Sequence, residues 1–476
     1  MSKGVTSQSK DYAKWYTDVV QKAELADYAP VKGCMIIRPY GYALWENIKS
    51  NLDKMFKDTG HVNAYFPLLI PEEFIKREAE HVEGFAPEVA VVTHAGGKKL
   101  EKPYVLRPTS ETIIWSAYKK WINSYRDLPL LINQWANVIR WEMRTRLFLR
   151  TTEFLWQEGH TAHETAEEAK AEAIKMINVY KKLAEEYLAM PVYVGTKTEN
   201  EKFPGAVETY SIEALVGDKK ALQSGTSHYL GQNFAKAFDV KFQNKSNEQE
   251  YVYASSWGVS TRLVGGIIMT HGDDKGLILP PKIAPHQIVI IPIYRDDSDK
   301  NKVMNLWKKI ETTLKEKNIR FKFDNREELT PGFKFNEWEM KGVPVRVEIG
   351  PRDADRNGVV TVRRDNREKK FPSLEEFLEN ITNLLDTIQK DMFSKQLKFR
   401  EENTFDITNY DELKEVVEKG GYARTFWAGD SELEDKIKDE TKATIRCELF
   451  EKTKESGKCF YTGKDSEVQV IISKAY

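Results

Sequence analysis

The pattern of apolar and polar residues divides the chain at Pro280-Pro281 into two parts with different rhythms. In the first part, one segment alternates with a period of two, which is typical of a strand and places every second side chain on one face. That face carries Phe154, Trp156, Glu158 and His160. Apolar residues alone would indicate ordinary core, but a glutamate and a histidine on the same face favour a ligand site.

Other elements of the first part follow from the same pattern. Residues 161–189 have the period of an amphipathic helix. Thr161 and Glu164 have the spacing of a capping box, so we expect this helix to begin at Thr161. Residues 64–71 are predicted as one strand bounded by prolines, and residues 258–279 as a strand followed by small residues.

Beyond the two prolines, predicted strands alternate with predicted helices, which indicates an α/β unit with a largely parallel sheet. Strands are expected over 287–293, 319–324, 343–349 and 359–363, and helices over 299–317, 332–341 and from 373 to about 402. A small C-terminal module follows. We therefore expect three domains, at 1–282, 283–400 and 401–476.

Length and composition are those of a soluble protein with several domains. The chain has 476 residues, of which 30% are charged and 41% apolar, and a single core seldom grows beyond roughly 250–300 residues. No apolar stretch approaches the ~20 residues that span a bilayer, and the N-terminus lacks the apolar core of a secretory signal. Only three cysteines occur, so no disulfide framework is implied. We expect a reduced, cytoplasmic protein that does not enter a membrane.

The charge balance argues against an indiscriminate nucleic-acid binder, because the net charge is −1 and the isoelectric point is near 6.8. A local basic face is still sufficient for RNA binding. Residues 352–370 include a run of arginines and lysines that could form such a face, although a charged segment can equally be solvated surface.

Three arginines in the first part indicate a site for a phosphate-bearing ligand. A strand with Arg140, a loop with Arg150 and a return strand with Phe154 would put guanidinium groups and an aromatic face in one cleft, and Arg262 could cover the other side of a purine. A guanidinium fits phosphate oxygens bidentately, and three of them suit a reaction in which charge builds up on phosphorus. The alternative is an edge hairpin with surface arginines.

The segments Arg140-Trp141-Glu142, 150–160 and 257–262 resemble motifs 2 and 3 of the class II aminoacyl-tRNA synthetases. Segments 107–112 (RPTSET) and 223–228 (QSGTSH) narrow the resemblance to the prolyl-tRNA synthetases. It covers the chain from about residue 11 to its end. The resemblance implies an α+β catalytic domain with an antiparallel sheet flanked by helices, an α/β anticodon-binding domain and a small α+β C-terminal domain.

By this resemblance, the chain would use ATP to convert L-proline to prolyl-adenylate. It would then transfer the prolyl group to the 3′ end of tRNA(Pro). Arg140 and Arg262 would be catalytic, and the implied ATP-binding residues are Arg140, Glu142, Arg150, Thr151, Phe154, Gln223, Thr226, Ser260 and Arg262. Glu142 could instead pair with Arg140 or Arg144. Mg²⁺ is expected with the triphosphate, with Gln223 as a candidate contact.

The implied proline-binding residues would supply acceptors for a secondary ammonium and a slot for its ring. They are Thr109, Glu111, Arg140, Trp156, Glu158, His160, Phe203 and His228. Taken alone, His228 would more often be a structural histidine. A snug slot rejects larger side chains, but a missing methylene costs only ~1–3 kcal/mol of discrimination, so alanine and cysteine should be mischarged.

Anticodon contacts are expected on the segment VRVEIGPRD at 345–353. Proline anticodons share two guanines, whose edges suit an arginine and a carboxylate. Glu348 and Arg352 are the candidates, with Lys369 nearby. A mutual Arg–Glu pair at the edge of the sheet is the alternative.

The resemblance also implies a subtype and an assembly. Only 160–253 separates motifs 2 and 3, too little for an editing insertion, so we expect the archaeal/eukaryotic type without editing in cis. Residues 64–71 correspond to motif 1, which implies a homodimer. The four cysteine positions of the family's C-terminal zinc site carry Ala428, Leu433, Cys459 and Tyr461, so no structural zinc is expected.

Two other functions were open to the sequence. A tRNA-binding relative without catalysis is disfavoured by the presence of Arg140, Glu142, Phe154 and Arg262. A class II ligase for another amino acid such as threonine is disfavoured because threonyl enzymes use a catalytic-domain zinc with cysteine and histidine ligands. Cys34 is the only cysteine before Cys447.

Overall fold

The structure is a computed structural model that describes residues 4–81 and 89–476. Its first part consists of long strands covered by helices. The helices are α1 (Tyr12–Lys22), α2 (Pro39–Asp58), α3 (Glu72–His81), α4 (Glu111–Trp121), α5 (Ala166–Lys182), α6 (Asn233–Phe238) and α7 (Arg262–His271). The strands are β1 (Ala26–Tyr28), β2 (Met35–Ile37), β3 (Val62–Asn63), β4 (Leu69–Pro71), β5 (Val91–Ala95), β6 (Lys98–Leu106), β7 (Leu130–Ile139), β8 (Glu153–His163), β9 (Val192–Thr196), β10 (Glu208–Leu215), β11 (Ala221–Gly231), β12 (Lys241–Gln243), β13 (Gln249–Tyr251) and β14 (Tyr253–Ser260).

The remainder of the chain has shorter strands and six further helices among its described residues. The helices are α8 (Asp297–Glu316), α9 (Pro331–Met340), α10 (Pro351–Asp355), α11 (Leu374–Glu402), α12 (Tyr410–Lys419) and α13 (Ser431–Thr441). The strands are β15 (Ile288–Pro292), β16 (Phe321–Phe323), β17 (Val345–Ile349), β18 (Val360–Arg363), β19 (Lys369–Lys370), β20 (Thr404–Asp406), β21 (Tyr422–Phe426), β22 (Thr444–Leu449), β23 (Gly457–Lys458), β24 (Asp465–Ser466) and β25 (Gln469–Ser473). None of the helices in the described ranges combines the length and the apolar character needed to cross a bilayer.

One sheet of eleven strands runs through the molecule in the order β20-β21-β25-β22-β9-β10-β11-β14-β8-β7-β3. Its strands are antiparallel except at the two ends, where β3 pairs with β7 and β20 with β21 in parallel. The predicted antiparallel sheet with flanking helices is confirmed. The C-terminal strands belong to this same sheet, because β22 pairs with β9. Gly195 allows the close approach, since a Cβ there would lie 2.0 Å from the carbonyl oxygen of Glu448.

Helix α5 covers one face of this sheet and begins later than the capping-box spacing predicts. Its N-cap is Thr165, whose hydroxyl accepts a hydrogen bond from the backbone N–H of Glu168 at 3.2 Å. The prediction of a start at Thr161 was wrong, because β8 continues to His163 and the Thr161 side chain bonds to the Ser255 hydroxyl inside the sheet. Thr165 and Glu168 repeat the same spacing one turn further on.

Two more segments differ from the prediction. Of residues 64–71 only 69–71 form a strand: this is β4, which joins a separate sheet with β6 and β5, whereas the preceding β3 joins the large sheet. Between residues 258 and 279 the strand ends at Ser260, and α7 follows. Helix α7 is buried on all sides, so its sequence lacks the polar face that reveals a helix. Gly265 lets it approach Tyr16 and Leu149 closely.

The second part contains a five-stranded sheet in the order β16-β15-β17-β18-β19. It is parallel only for β16-β15-β17, and β18 and β19 are antiparallel, so the expectation of a largely parallel sheet holds for half of it. Arg364 donates to both carboxylate oxygens of Asp273, at 3.0 and 2.6 Å, and ties this sheet to the loop after α7. Helix α11 runs across residue 400, and the predicted domain boundaries stay predictions.

Candidate functional site

A cavity of about 370 Å³ opens over the central strands of the large sheet. This volume is within the range of roughly 300–1,000 Å³ that is usual for small-molecule sites. Its lining brings together most of the residues that were predicted for ATP and proline: Thr109, Glu111, Arg140, Phe154, Trp156, Glu158, His160, Phe203, Gln223, Thr226, His228, Ser260 and Arg262.

Strand β8 supplies the floor of the cavity. Phe154, Trp156, Glu158 and His160 all line it, which confirms the predicted common face. The intervening residues face α5 instead. The Tyr180 hydroxyl bonds to the Gln157 side chain at 2.5 Å, and a Cβ at Gly159 would collide with the Trp257 ring. Packing on the far face therefore determines which side chains are left for the cavity.

Arg140 is held at one wall by the backbone. Its Nε donates to the carbonyl oxygen of Pro108 at 2.9 Å. Its guanidinium carbon lies 5.7 Å from the ring centroid of Phe154 and 5.3 Å from that of Trp156. Burial lowers the pKa of Arg140, and the nearby carboxylates of Glu111 and Glu158 oppose that shift. Arginine stays charged under such conditions, so the site contains a fixed cation.

Arg262 begins α7 and is a second fixed cation. Its Nε donates to the carbonyl oxygen of Leu149 at 3.2 Å, and its backbone N–H donates to the Ser260 hydroxyl at 3.2 Å. Burial lowers the pKa of Arg262, and the charges of Arg140 and Arg150 lower it further. Arg262 is thus close enough to both other cations to be repelled by them, and an anion between these groups would relieve that repulsion.

Three of the predicted ATP-binding residues lie outside the large cavity. Arg150 lines an adjoining cavity of about 280 Å³ together with Arg262 and the terminal Tyr476. Glu142 lies beside it, with 3.4 Å between its Oε2 and Nε of Arg150, so its ion-pair partner is Arg150 and not the expected Arg140 or Arg144. Thr151 is buried, and its hydroxyl donates to the carbonyl oxygen of Glu153 at 2.7 Å.

The large cavity also contains buried carboxylates. Glu111 stands at the start of α4 and accepts a short hydrogen bond from the Thr109 hydroxyl. Glu158 accepts from Ser110 Oγ at 2.5 Å, from Gln134 Nε2 at 2.8 Å and from His160 Nε2 at 3.0 Å. Sequence reasoning missed the roles of Ser110 and Gln134. Gln134 has no distinguishing signal in the sequence, because the same strand also contains Asn133 and Asn137.

Glu158 and His160 form an ion pair. Burial alone would raise the pKa of Glu158, but the hydrogen bond and charge of His160, with Ser110 and Gln134, outweigh it and lower that pKa. Burial alone would lower the pKa of His160, but the bond to Glu158 and the charge of Glu111 raise it. Among the described residues, Nδ1 of His160 and Nε1 of Trp156 are two buried polar atoms without a hydrogen-bond partner.

His228 differs from His160 in charge. Its Nδ1 lies 3.0 Å from the Thr209 hydroxyl, and its ring centroid lies 4.7 Å from that of Phe203. Burial, with a smaller contribution from the charge of His160, lowers the pKa of His228 to about 3. The ring is therefore neutral and forms an uncharged wall with Phe203. Thr209, which orients it, was missed because nothing in its sequence context marks it.

Comparisons with known proteins agree over the whole chain. Residues 93–271 match the tRNA synthetase class II core domain (G, H, P, S and T), residues 287–384 the anticodon binding domain, and residues 410–476 the C-terminal domain of prolyl-tRNA synthetase. The proline–tRNA ligase of Chloroherpeton thalassium is 58% identical over 484 residues, covering 100% of both chains. That of Phocaeicola vulgatus is 55% identical over 491 residues, covering 100% of this chain and 99% of the relative.

A solved structure agrees as well. The crystal structure of the prolyl-tRNA synthetase from Cryptosporidium parvum, complexed with halofuginone and AMPPNP, has a TM-score of 0.95 and 40% sequence identity, and covers 99% of each chain. The chain belongs to the prolyl-tRNA synthetase family. The resemblance stated from the motifs is thereby confirmed at the level of the family and its three domains.

In this member of the family, two of the three anticodon candidates, Glu348 and Lys369, lie in the five-stranded sheet. Glu348 is on β17, between β15 and β18, and its Oε1 accepts from Nε and Nη2 of Arg346 at 3.0 and 2.9 Å. Nζ of Lys369 lies 3.3 Å from its other oxygen. An Arg–Glu pair therefore exists, but its arginine is Arg346, and Arg352 lies in the following helix α10. The strand is internal, so the expected position at the sheet edge was wrong.

The C-terminal residues at the family's zinc positions lie in or against an apolar core. Cys459 is buried there with Trp427 and Phe460, and Ala428, Leu433 and Tyr461 pack against them. Sγ of Cys459 accepts from the backbone N–H of Thr462 at 3.5 Å. Throughout residues 4–81 and 89–476, no group of three or more His, Cys, Asp and Glu side chains is arranged to hold a metal ion.

The pKa values of the two cavity histidines, His160 and His228, should be shifted in opposite directions from the ordinary histidine pKa of 6.5. We expect imidazole NMR signals to give His160 a midpoint above 6.5, because Glu158 stabilises its charged form, and to show His228 neutral down to about pH 3. Equal midpoints for the two rings would contradict the ion pair.

Stability should follow the same signs. The Glu158–His160 pair stabilises the fold fully between pH 4.5 and pH 6.5, the ordinary pKa values of glutamate and histidine. The stabilisation is lost as pH rises through the pKa of His160 in the folded protein, or falls through that of Glu158. His160→Gln should therefore destabilise more at pH 6.5 than in alkaline solution. His228→Gln is the control of opposite sign: it removes a group that opposes folding as pH falls below 6.5.

Proposed function

We propose that this chain is an ATP-dependent proline–tRNA ligase, which converts L-proline to prolyl-adenylate and transfers the prolyl group to the 3′ end of tRNA(Pro). The observation that carries the proposal is one cavity that is lined both by fixed guanidinium groups and by buried carboxylates. Full-length relatives at 57–58% identity are named proline–tRNA ligase, which supports the same activity.

In the activation step, a proline carboxylate oxygen attacks the α-phosphorus of ATP and pyrophosphate leaves. Negative charge accumulates on the phosphorus oxygens, and Arg140 and Arg262 are already fixed where they can stabilise it. Arg140 lies between the amino-acid carboxylate and the α-phosphate, and the adenine ring lies between Phe154 and Arg262. The other nucleotide contacts are assigned to Glu142, Arg150, Thr151, Gln223, Thr226 and Ser260.

Recognition of proline uses the other end of the cavity. Glu111 and Thr109 accept from the secondary ammonium, and Trp156, Phe203 and His228 enclose the ring. A neutral His228 suits this role, since a charged ring would repel the ammonium. Glu158 and His160 hold one another in place beneath the ring. His160 Nδ1 and Trp156 Nε1 are available to polar groups of the ligand.

Mg²⁺ fits this site as a companion of ATP. The described residues hold no carboxylate cluster that would cage a resident ion, and Gln223 and Thr226 offer only neutral oxygens. Such a donor set matches Mg²⁺ that is bound chiefly by phosphates and water. When bound, the ion would neutralise phosphate charge, with Gln223 as its protein contact.

The decisive experiment is ATP–pyrophosphate exchange with each of the twenty amino acids. We expect exchange with proline, and a loss of about 10²-fold or more for Arg140→Ala, the usual scale for removing a preorganised charge-stabilising group. Arg295→Ala, which removes an exposed arginine of the second part, should leave the rate unchanged. Exchange that depends on threonine would favour a class II ligase for another amino acid. No exchange with any amino acid would favour a tRNA-binding relative without catalysis.

Anticodon reading is assigned to Glu348, Arg352 and Lys369, within the matched anticodon binding domain. Glu348 is largely buried beneath Arg346 and Lys369, and Lys369 is about half exposed. A carboxylate can accept from guanine N–H groups, and the two cations beside it can contact phosphate or base edges.

Glu348→Ala should reduce charging of tRNA(Pro) while sparing proline-dependent exchange, because the exchange reaction does not require the anticodon. Loss of one base contact predicts a fall of about tenfold in kcat/KM for tRNA. Glu368→Ala, which removes an exposed carboxylate paired with Lys370, is the control and should charge normally. Equal losses in both assays would contradict the assignment and indicate that Glu348 only supports the fold.

The archaeal/eukaryotic type without an editing insertion is supported by the chain between motifs 2 and 3. The residues from 164 to 252 are taken up by α5, β9 to β13 and α6, all of which belong to the catalytic sheet or its cover. Little chain is left for a separate hydrolytic domain. Release of alanine from alanyl-tRNA(Pro) by the purified chain would contradict this subtype.

A homodimer is supported by exposed apolar side chains on and after β3, the edge strand of the large sheet. Val62, Tyr65 and Leu69 are each more than two-fifths exposed, and exposed apolar surface often marks a protein interface. Two-fold association is the commonest solution for such a surface. A monomer in sedimentation experiments at micromolar concentration would contradict it.

The C-terminal domain is proposed to fold without zinc, since Ala428, Leu433 and Tyr461 pack where three ligands would stand. Stoichiometric zinc in the purified protein would contradict this. A cytoplasmic location is supported by three free cysteines, Cys34, Cys447 and Cys459. Recovery of the protein from an oxidising compartment would contradict the location.

A further inference from the structure

The loop at residues 197–207, between β9 and β10, forms one wall of the large cavity. Glu201, Lys202, Phe203 and Pro204 line the cavity from this loop. The other side of the loop contacts α13, which belongs to the C-terminal part of the chain. A helix far along the sequence thus lies directly behind a wall of the site.

Thr198 connects the two sides. Its hydroxyl donates to Oε1 of Glu434 at 2.7 Å, and both residues are buried, with 7% and 5% exposure. Its carbonyl oxygen accepts from the backbone N–H groups of Glu201 and Lys202, at 3.1 and 2.9 Å. Thr198 therefore bonds to α13 through its side chain, and through its carbonyl oxygen it closes the turn that contains the cavity-lining residues.

Weaker contacts surround this buried bond. Nδ2 of Asn200 donates to the carbonyl oxygen of Ser431 at 2.9 Å and to Oδ1 of Asp435 at 3.1 Å. Nζ of Lys438 lies 3.3 Å from Oε1 of Glu201. These pairs are exposed to water and contribute little individually. The buried Thr198–Glu434 bond is the contact whose loss should matter, because a buried partner would be left without a hydrogen bond.

The inner end of the loop contacts the proline side of the cavity. The backbone N–H of Phe203 donates to the Thr209 hydroxyl at 3.0 Å, and the Phe203 ring packs against His228. Lys202, whose N–H bonds to Thr198, is the chain neighbour of Phe203. The nucleotide side is built elsewhere, from Arg140, Phe154 and Arg262, and does not belong to this loop.

We propose that α13 positions the wall of the cavity that receives proline, with Thr198 and Glu434 as positioning residues, so that the C-terminal part of the chain sets the affinity for the amino acid. The inference rests on the proposed function of the cavity. Burial raises the pKa of Glu434 to about 7, so an uncharged acceptor is compatible with this position. An amide oxygen should therefore replace the carboxylate.

The test is steady-state ATP–pyrophosphate exchange by the full chain, with the KM for proline and the KM for ATP measured separately. Glu434→Leu should raise the KM for proline about tenfold, the effect of losing one buried hydrogen bond, while the KM for ATP changes less than about twofold. Glu434→Gln keeps an acceptor for Thr198 and should restore a proline KM close to that of the unaltered chain.

Three further variants separate positioning from general destabilisation. Glu432→Leu changes an exposed glutamate on the same helix and should leave both KM values unchanged. Thr198→Val should match Glu434→Leu, and the double variant should be no worse than either single one, because both remove the same bond. Thr198→Ser keeps the hydroxyl and should rescue. If Glu434→Leu does not fold, Thr198→Val carries the test.

A selective rise in the KM for proline, rescued by Glu434→Gln and Thr198→Ser, would support the inference. If the unaltered chain is active but Thr198→Val and Glu434→Leu leave the KM for proline unchanged, this inference is overturned and the proposed function is not. Equal rises in the KM for proline and the KM for ATP would have the same meaning. An unaltered chain without proline-dependent exchange would overturn the proposed function, and this inference with it.

Discussion

The hydrogen-bonded register of β8 between β7 and β14 is the constraint on which the site depends. In this register Glu158 lies opposite Gln134 on one side and Gly258 on the other. A slip of one residue would send every side chain of the cavity floor to the helix-covered face. The contacts of Gln157 and Gly159 on that far face make the slip costly. The catalytic surface is therefore specified largely by packing beneath it.

The ionic groups of the cavity differ in their hydrogen-bond partners. Arg140 and Arg262 donate mainly to backbone carbonyl oxygens, and the carboxylates near them, such as Glu111 and Glu158 beside Arg140, act at longer range. Glu158, by contrast, has its oxygens occupied by Ser110, Gln134 and His160. A ligand therefore meets positive charge at Arg140 and Arg262 and negative charge at Glu111 within one cavity. That arrangement matches an ammonium-bearing carboxylic acid beside a triphosphate.

The C-terminal strands extend the catalytic sheet rather than forming a separate body. Glu213, on β10, is fully buried and bonds both to Lys197 and to Arg446 of β22. Breaking such a pair is costly because it leaves a buried charge alone. This junction holds the C-terminal part against the sheet, and α13 lies behind the loop at 197–207 as a result. The family's zinc positions carry residues that pack in or against an apolar core.

Much of the site was predictable from short-range patterns. The alternation in β8 placed Phe154, Trp156, Glu158 and His160 on one face correctly, since strand geometry depends only on neighbouring residues. The motif segments predicted most of the residues that line the cavity. Helix α7 was not predicted, because a helix buried on all sides has no polar face, and the cap of α5 was misplaced because two threonines have equivalent spacing. The partner of Glu348 was likewise decided by the sheet, which sets Arg346 beside it.

The sequence by itself determined the family, the main strand faces and the chemical groups of the cavity, because these follow from local periodicity and from residue types at fixed spacing. Only the tertiary structure decided that Gln134 and Ser110 bind Glu158, that Thr209 orients His228, and that the C-terminal strands continue the catalytic sheet. Each of these contacts joins residues on different strands or helices, and the spacing of residues along the chain carries no information about which strands become neighbours.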